Sequence, residues 1–357
     1  MMATLLPIIP NEVFDSAESG RSSKLGKFDL RQDQQYGFFF NCEFQSVQYN
    51  SDKYQNEQAH SQIFVQHLQT VVKKIVSRFG QNSSVVEVGC GKGYFFGLLS
   101  DQNFTSIRGF DRAYQGDDPR ILKRYIRASD MPLNADVLVL RHVLEHVQNP
   151  LEFLIELTEI NGKSCNFVIE VPSTDWIINN SAFWDFTYEH VNYFTSESFQ
   201  RLFSQCDVTS VFGDQYLLAF CSSDSLKARR TLLSNESTLL NEMIKSISKN
   251  SLFDFALKHA GRYWIWGGAT KGILISYHLL CFGDESARHP EGIVDINPAK
   301  QNKFSAGTGI PIFSPDYFLT LLRDGDRIFV VNPLYEREVA EFVRVATTKQ
   351  VKIEVLN

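Results

Sequence analysis

At 357 residues, 43% hydrophobic and 21% charged, the chain has the composition of a soluble globular protein too long for one ordinary core, so two domains and a smaller attached piece are expected. A formal charge of -6 with no basic run excludes a binder of the nucleic-acid phosphate backbone. No stretch approaches the roughly 18 apolar residues of a membrane span, the first residues lack a signal-peptide pattern, and the six scattered cysteines contain no C-x-x-C pair, so a cytoplasmic, reducing setting is expected.

Residues 1–55 mix turn formers with polar residues and supply the run Phe38, Phe39, Phe40, which reads as an arm or cap. From Ser61 to Phe79 apolar residues recur at helical spacing, and SVVEV at 84–88 follows as a strand. Strand-like runs then alternate with helical patterns through SIRGFD, DVLVL, the helix Pro150 to Ile160, and NFVIEV, which predicts a parallel sheet covered on both faces. YLLAFCSS at 216–223 reads as a late strand, and the polar helical stretch 223–260 as a connector. A second α/β series occupies 261–357: RYWIWGG, a helix after Thr270, GIVDIN, DRIFVVNP and a final helix. The fold class is therefore α/β, with a first unit over 56–222 and a second over 261–357.

Three motifs carry chemistry. Glu87-Val-Gly89-Cys-Gly91-Lys-Gly93 joins a buried-type strand to a helix, where glycines permit a sharp turn and a close ligand. Asp111, ending the next strand, is placed to accept hydrogen bonds from a ribose. His142-Val-Leu-Glu145-His146 spells H-x-x-E-H, a zinc signature when both histidines share a helix face. It begins directly after a strand, where the methyltransferase pattern that the glycine turn resembles has a polar loop-to-helix step; the resemblance implies no metal and His142 in the wall of the cofactor pocket, with Glu145 and His146 at a helix start. Finally, NFVIEVP releases a long excursion containing FWDFTYEHVNYF, whose phenylalanines suit packing, while Tyr188, Glu189 and His190 cannot all be buried without partners. A histidine beside a carboxylate can serve as a general base.

The pattern E-x-G-x-G-x-G with Asp111 resembles the class I S-adenosylmethionine methyltransferases over residues 56–222, in a Rossmann-like sheet. The resemblance implies Glu87, Gly89, Gly91, Gly93, Asp111, Asp130, Arg141 and His142 as cofactor contacts. FWDFTYEHVNYFT, WGGATKG and VDINPAKQNKFSAGTGIPIFSP further resemble the nucleotide-sugar C-methyltransferases of deoxysugar biosynthesis, which implies a C-terminal Rossmann-like unit for the sugar nucleotide, a Tyr188-Glu189-His190 triplet with His190 as base, and Tyr54 as a substrate-side contact. Asp33 and Tyr36 stand where that family has the first cysteines of a zinc module, so the arm is read as a degenerate module without metal.

Gly268, Thr270 and Lys271 form a strand-to-helix turn able to hold a diphosphate, and Asp295 closes the next strand within reach of a hydroxyl. The expected activity is C-methylation of a nucleotide-linked 4-keto deoxysugar, by a monomer or homodimer. The alternatives are O- or N-methylation of a sugar or other small metabolite, an inactive methyltransferase-like binding protein, and a nicotinamide oxidoreductase using the second turn.

Overall fold

In the computed structural model, residues 4–47, 53–55, 57, 59–227, 261–282 and 289–356 are described, so most of the connector expected at 223–260 lies outside the described residues. The apolar runs become strands where expected. A seven-stranded sheet runs in the spatial order Cys206–Val211, Tyr216–Ser222, Asn166–Pro172, Val137–Arg141, Ser84–Val88, Ser106–Phe110, Ile121–Leu122. The last five are mutually parallel, and the first two form an antiparallel hairpin that closes one side.

Alternation along the central strand explains the two covering layers. Val85 faces Phe64, Leu68, Val71 and Ile75 of the helix Gln62–Phe79, whereas Val86 faces Leu154 and Leu157 of the helix Pro150–Asn161. Chain order reverses on the two sides of Ser84–Val88, which makes its carboxyl end the switch point where α/β sheets leave a crevice. Within the hairpin, Cys206 and Cys221 are cross-strand partners joined by a disulfide. Their separation of fifteen residues gave no sign of pairing, and it is the hairpin register that corrects the reading of six scattered cysteines.

The C-terminal unit is a second seven-stranded sheet, ordered Lys352–Val355, Arg327–Val330, Tyr263–Trp266, Ile293–Val294, Pro311–Phe313, Lys303–Ser305, Val13–Phe14. Its last strand comes from the N-terminal arm, antiparallel to Lys303–Ser305. The same arm sends Phe39–Asn41 to pair with Asn192–Tyr193 in the long excursion. Strands of the arm are thus woven into the sheet of one unit and the loop of the other.

The excursion after Pro172 is itself built of short elements, the helix Thr174–Asn179, a 3-10 turn Phe183–Asp185 and the helix Ser196–Leu202. Phe183, Trp184, Phe186 and Tyr193 join Leu6, Phe28 and Leu30 of the arm and Ile273, Leu274 and Ile293 of the C-terminal unit in one buried cluster. These rings seat the two units on each other, a wider task than fixing a loop. Lys271 completes the seam, with Nζ 2.9 Å from Asp185 Oδ2, donating to Gln215 Oε1 at 2.7 Å and lying 4.6 Å over the Trp176 ring.

Two glycines give opposite expectations for a single methyl group. A Cβ at Gly272 would lie 1.8 Å from the Gly267 carbonyl oxygen, whereas one at Gly97, inside the helix Tyr94–Ser100, would meet nothing within 4 Å. Gly272→Ala should destabilise the protein by about 1–3 kcal/mol or more and Gly97→Ala should stabilise it by about 0.4–1 kcal/mol, read from urea unfolding.

Candidate active site

Geometry at the switch point begins with backbone that only glycine adopts readily. Gly89, Gly91 and Gly93 have φ of 79°, 55° and 86°, and a side chain at Gly89 would strike Val143 Cγ2 at 2.4 Å. Gly91 donates its N–H to Asp111 Oδ2 at 2.7 Å, and Ala113 donates to Oδ1 at 2.6 Å, so the carboxylate at the end of the neighbouring strand closes the turn. A Cβ at Gly91 would meet nothing within 4 Å, leaving open space over the turn. Beneath it, Glu87 is buried and its Oε2 has no partner among the described residues. Burial pushes its carboxyl up to about 8, with the Arg141 guanidinium opposing and Asp111 adding to the rise.

Next to this turn four basic and acidic side chains converge. Glu170, fully buried on its strand, accepts from His67 Nε2 at 3.1 Å, Arg141 NH2 at 2.9 Å and His142 Nε2 at 3.1 Å, all on Oε1. Burial works to raise its pKa, but Arg141 and the two histidines outweigh it and hold the carboxyl well below the usual range. Arg141, expected as a cofactor contact, also lies 4.2 Å over the Phe95 ring.

His142 has a left-handed φ of 52° and holds Glu145 Oε1 through Nδ1 at 3.2 Å. H-x-x-E-H is thus not helical: only Leu144–His146 make a 3-10 turn, and the helix that follows begins at Pro150 behind Asn149. The expectation of Glu145 and His146 as helix-start groups is corrected accordingly.

The Tyr188-Glu189-His190 triplet divides by direction. Tyr188, expected in the acid-base group, stacks on Phe44 of the arm and its hydroxyl accepts from the Gln45 N–H at 2.8 Å. Glu189, 1% exposed, accepts at Oε2 from the Tyr54 hydroxyl at 3.1 Å. Burial raises its pKa against the pull of His146, Tyr54, Asn11 and Lys300. The His190 ring stands edge-on to that of His146 at 4.9 Å; burial first, then the charge of His146, pushes it down to about 3. Burial thus favours the neutral ring at His190, the base expected from sequence, and lifts the carboxyl of Glu189 beside it.

At the second turn, the expected anion cradle is filled by the chain itself. Gly268 donates to Asp295 Oδ2 at 2.7 Å, Thr270 accepts from Asn11 Nδ2 at 2.7 Å, and Lys271 is held by Asp185 and Gln215. Asp295 also accepts from the Asn297 N–H at 2.8 Å. The four residues expected to hold a diphosphate and a hydroxyl thus each have a partner within the protein. Asp130, expected on the adenine side, makes a two-point pair with Arg124 at 2.6 and 2.7 Å and accepts from the Arg127 N–H.

Sequence reasoning missed Asn11, Lys300 and Glu170. Lys300, 2% exposed, donates to Asn11 Oδ1 at 3.2 Å and to the Gly268 carbonyl at 2.9 Å. Nothing local marks a contact across 289 residues. Glu170 did leave a signal, as a lone charge in the apolar run NFVIEV.

Residues 62–210 match a family model described as a methyltransferase domain. No curated protein matches the chain by sequence. Among solved structures, a Nostoc punctiforme protein provisionally described as an O-methyltransferase is 15% identical over 44% of this chain and 57% of its own, with a TM-score of 0.36. The match thus spans little more than half of that protein. The plantazolicin methyltransferase BpumL, solved with SAH and a desmethylPZN analog, is 16% identical over 47% of this chain and 86% of that one, TM-score 0.37. A Burkholderia thailandensis 1,6-didemethyltoxoflavin-N1-methyltransferase is 12% identical over 54% and 98%, TM-score 0.34. Likenesses of this size bear on neither fold nor substrate.

The buried Glu87 yields a pH test. Its folded pKa lies above that of a free carboxyl, so the unfolded chain releases this proton first and the group's contribution to stability falls as pH rises from about 4.5 to about 8. Glu87→Gln should gain stability relative to the wild type across that interval, with the difference constant above it, as measured by urea unfolding at a series of pH values.

Proposed function

We propose that this chain, whose residues 62–210 form a methyltransferase domain, transfers a methyl group from S-adenosylmethionine to a carbon of a nucleotide-linked keto deoxysugar. The observation that carries the cofactor is the turn Glu87 to Gly93, with three left-handed glycines at the switch point, open space above Gly91, and Asp111 at the tip of the adjacent strand. Asp111 and the turn would hold the ribose side of the cofactor, and His142 lies beside the same crevice. When bound, S-adenosylmethionine supplies an electrophilic methyl group on a sulfonium centre.

The protein's own task is to make a nucleophile and hold it in line. Glu189 takes the proton from the carbon beside the ketone; the C–H electron pair moves into an enolate, whose carbon bonds to the methyl group as the methyl–sulfur bond breaks. Tyr54 steadies the Glu189 carboxylate, and a buried carboxylate whose pKa has risen is a better base than one in water. His190, uncharged at neutral pH, takes a place beside the base. Holding both partners in one crevice supplies much of the rate advantage because the methyl donor is already reactive. The acceptor assignment rests on the resemblance of FWDFTYEHVNYFT and the C-terminal segments to the nucleotide-sugar C-methyltransferases, and on a buried base able to ionise a carbon acid.

Two measurements test this reading. In calorimetry, Asp111→Ala should weaken S-adenosylmethionine binding by about 1–3 kcal/mol, while Glu189→Gln binds it as the wild type does. With keto deoxysugar nucleotides in deuterated water, the wild type should exchange the α-proton and add a methyl group at that carbon, and Glu189→Gln should lose both by about 10²–10⁴-fold. A methyl group appearing on oxygen or nitrogen, without exchange, would sink the carbon route in favour of an O- or N-methyltransferase.

A further inference from the structure

We infer that Glu145, His146 and His190 form a binding site for one divalent cation of the zinc class. One ligand atom from each of these side chains lies within 4.8 Å of the others, and a carboxylate with two imidazoles is a donor set that suits zinc. The site is distinct from the cofactor turn and does not depend on the identity of the acceptor.

Three further observations point to a cation. His146 holds its Nδ1 2.9 Å from the Glu189 carbonyl oxygen, where Nδ1–H donates, so in the neutral ring Nε2 is the ligating atom. A metal-binding histidine is oriented in the same manner, by a carbonyl or carboxylate on its other nitrogen. Glu145, 1% exposed, spends Oε1 on His142 Nδ1 and keeps Oε2 buried with no partner among the described residues. His190 Nδ1 is likewise buried and unpartnered among the described residues. A buried polar atom without a partner is costly, and one cation shared among these groups would answer both.

The pattern H-x-x-E-H makes His142 and His146 the natural pair, and its position directly after a strand weighs against metal in the sequence. In the fold His142 is not a ligand, because its two nitrogens bridge Glu145 and Glu170. Its role is to orient the carboxylate that is one, while His190 arrives from forty-four residues further along. Three protein ligands leave a fourth position open, as in zinc sites that also hold water or an oxygen of a substrate.

The test uses the full chain, stripped of metal with a chelator and titrated with ZnCl2 against a chromophoric competitor. The wild type should bind one equivalent, and CoCl2 should give the visible absorption of a four-coordinate ion. Glu145→Gln, His146→Ala and His190→Ala should each weaken zinc binding at least about 10–100-fold. Cooperative thermal unfolding without metal would establish that these variants are folded, and a zinc-dependent rise in Tm seen only in the wild type would support the site a second time. Absence of stoichiometric zinc in the wild type, or equal binding by folded variants, overturns the inference. Neither acceptor nor S-adenosylmethionine enters the titration, so its failure leaves the methyl-transfer reading standing, and failure of that reading leaves this one.

Discussion

Everything at the crevice depends on one buried carboxylate. Glu170 lies on a strand with no exposure, and a lone charge there would be prohibitive; it is tolerable because His67, Arg141 and His142 all reach Oε1. The three partners come from different places, the long helix before the sheet and the end of the adjacent strand. The cluster therefore fixes the helix against the sheet and fixes the path of the chain as it leaves that strand. His142 can take its left-handed backbone and hold Glu145 because Glu170 holds its other nitrogen.

A second set of contacts ties the crevice to the C-terminal unit. Asn11 of the arm reaches Thr270 and Lys300 and bears on Glu189, while Gln55 accepts from Lys92 of the glycine turn at 3.1 Å. The arm thus touches the first turn, the candidate base and the second turn together. At the second turn Asp295 takes the Gly268 N–H, Asn11 the Thr270 hydroxyl and Lys300 the Gly268 carbonyl, and these contacts join the units. A strand-to-helix turn that looks like an anion site in sequence serves here as a joint.

Legibility followed the range of the interactions. The two sheets, the helices and the first glycine turn could be read because hydrophobic period and glycine placement are local signals. Asp111 could be read because it ends the strand beside the turn. Asp130, Arg141, Lys271 and Asp295, named as ligand contacts, each have a partner inside the protein that the sequence did not show: Arg124, Glu170, Asp185 and the Gly268 N–H. A sequence shows that a charge is present but not whether a distant residue has already neutralised it.

The sequence alone determined the α/β class, the position of the first glycine turn and the fact that the YEH segment would carry polar groups into an apolar setting, since these follow from residue type and spacing. Tertiary structure decided the direction of every titratable side chain. Tyr188 turned to the arm, Glu189 towards Tyr54, and His190 towards His146, because packing of the aromatic segment against the arm and the C-terminal unit sets which face of the chain is buried. It also decided that His146 would meet His190 instead of His142, since a left-handed residue rather than a helix follows the strand.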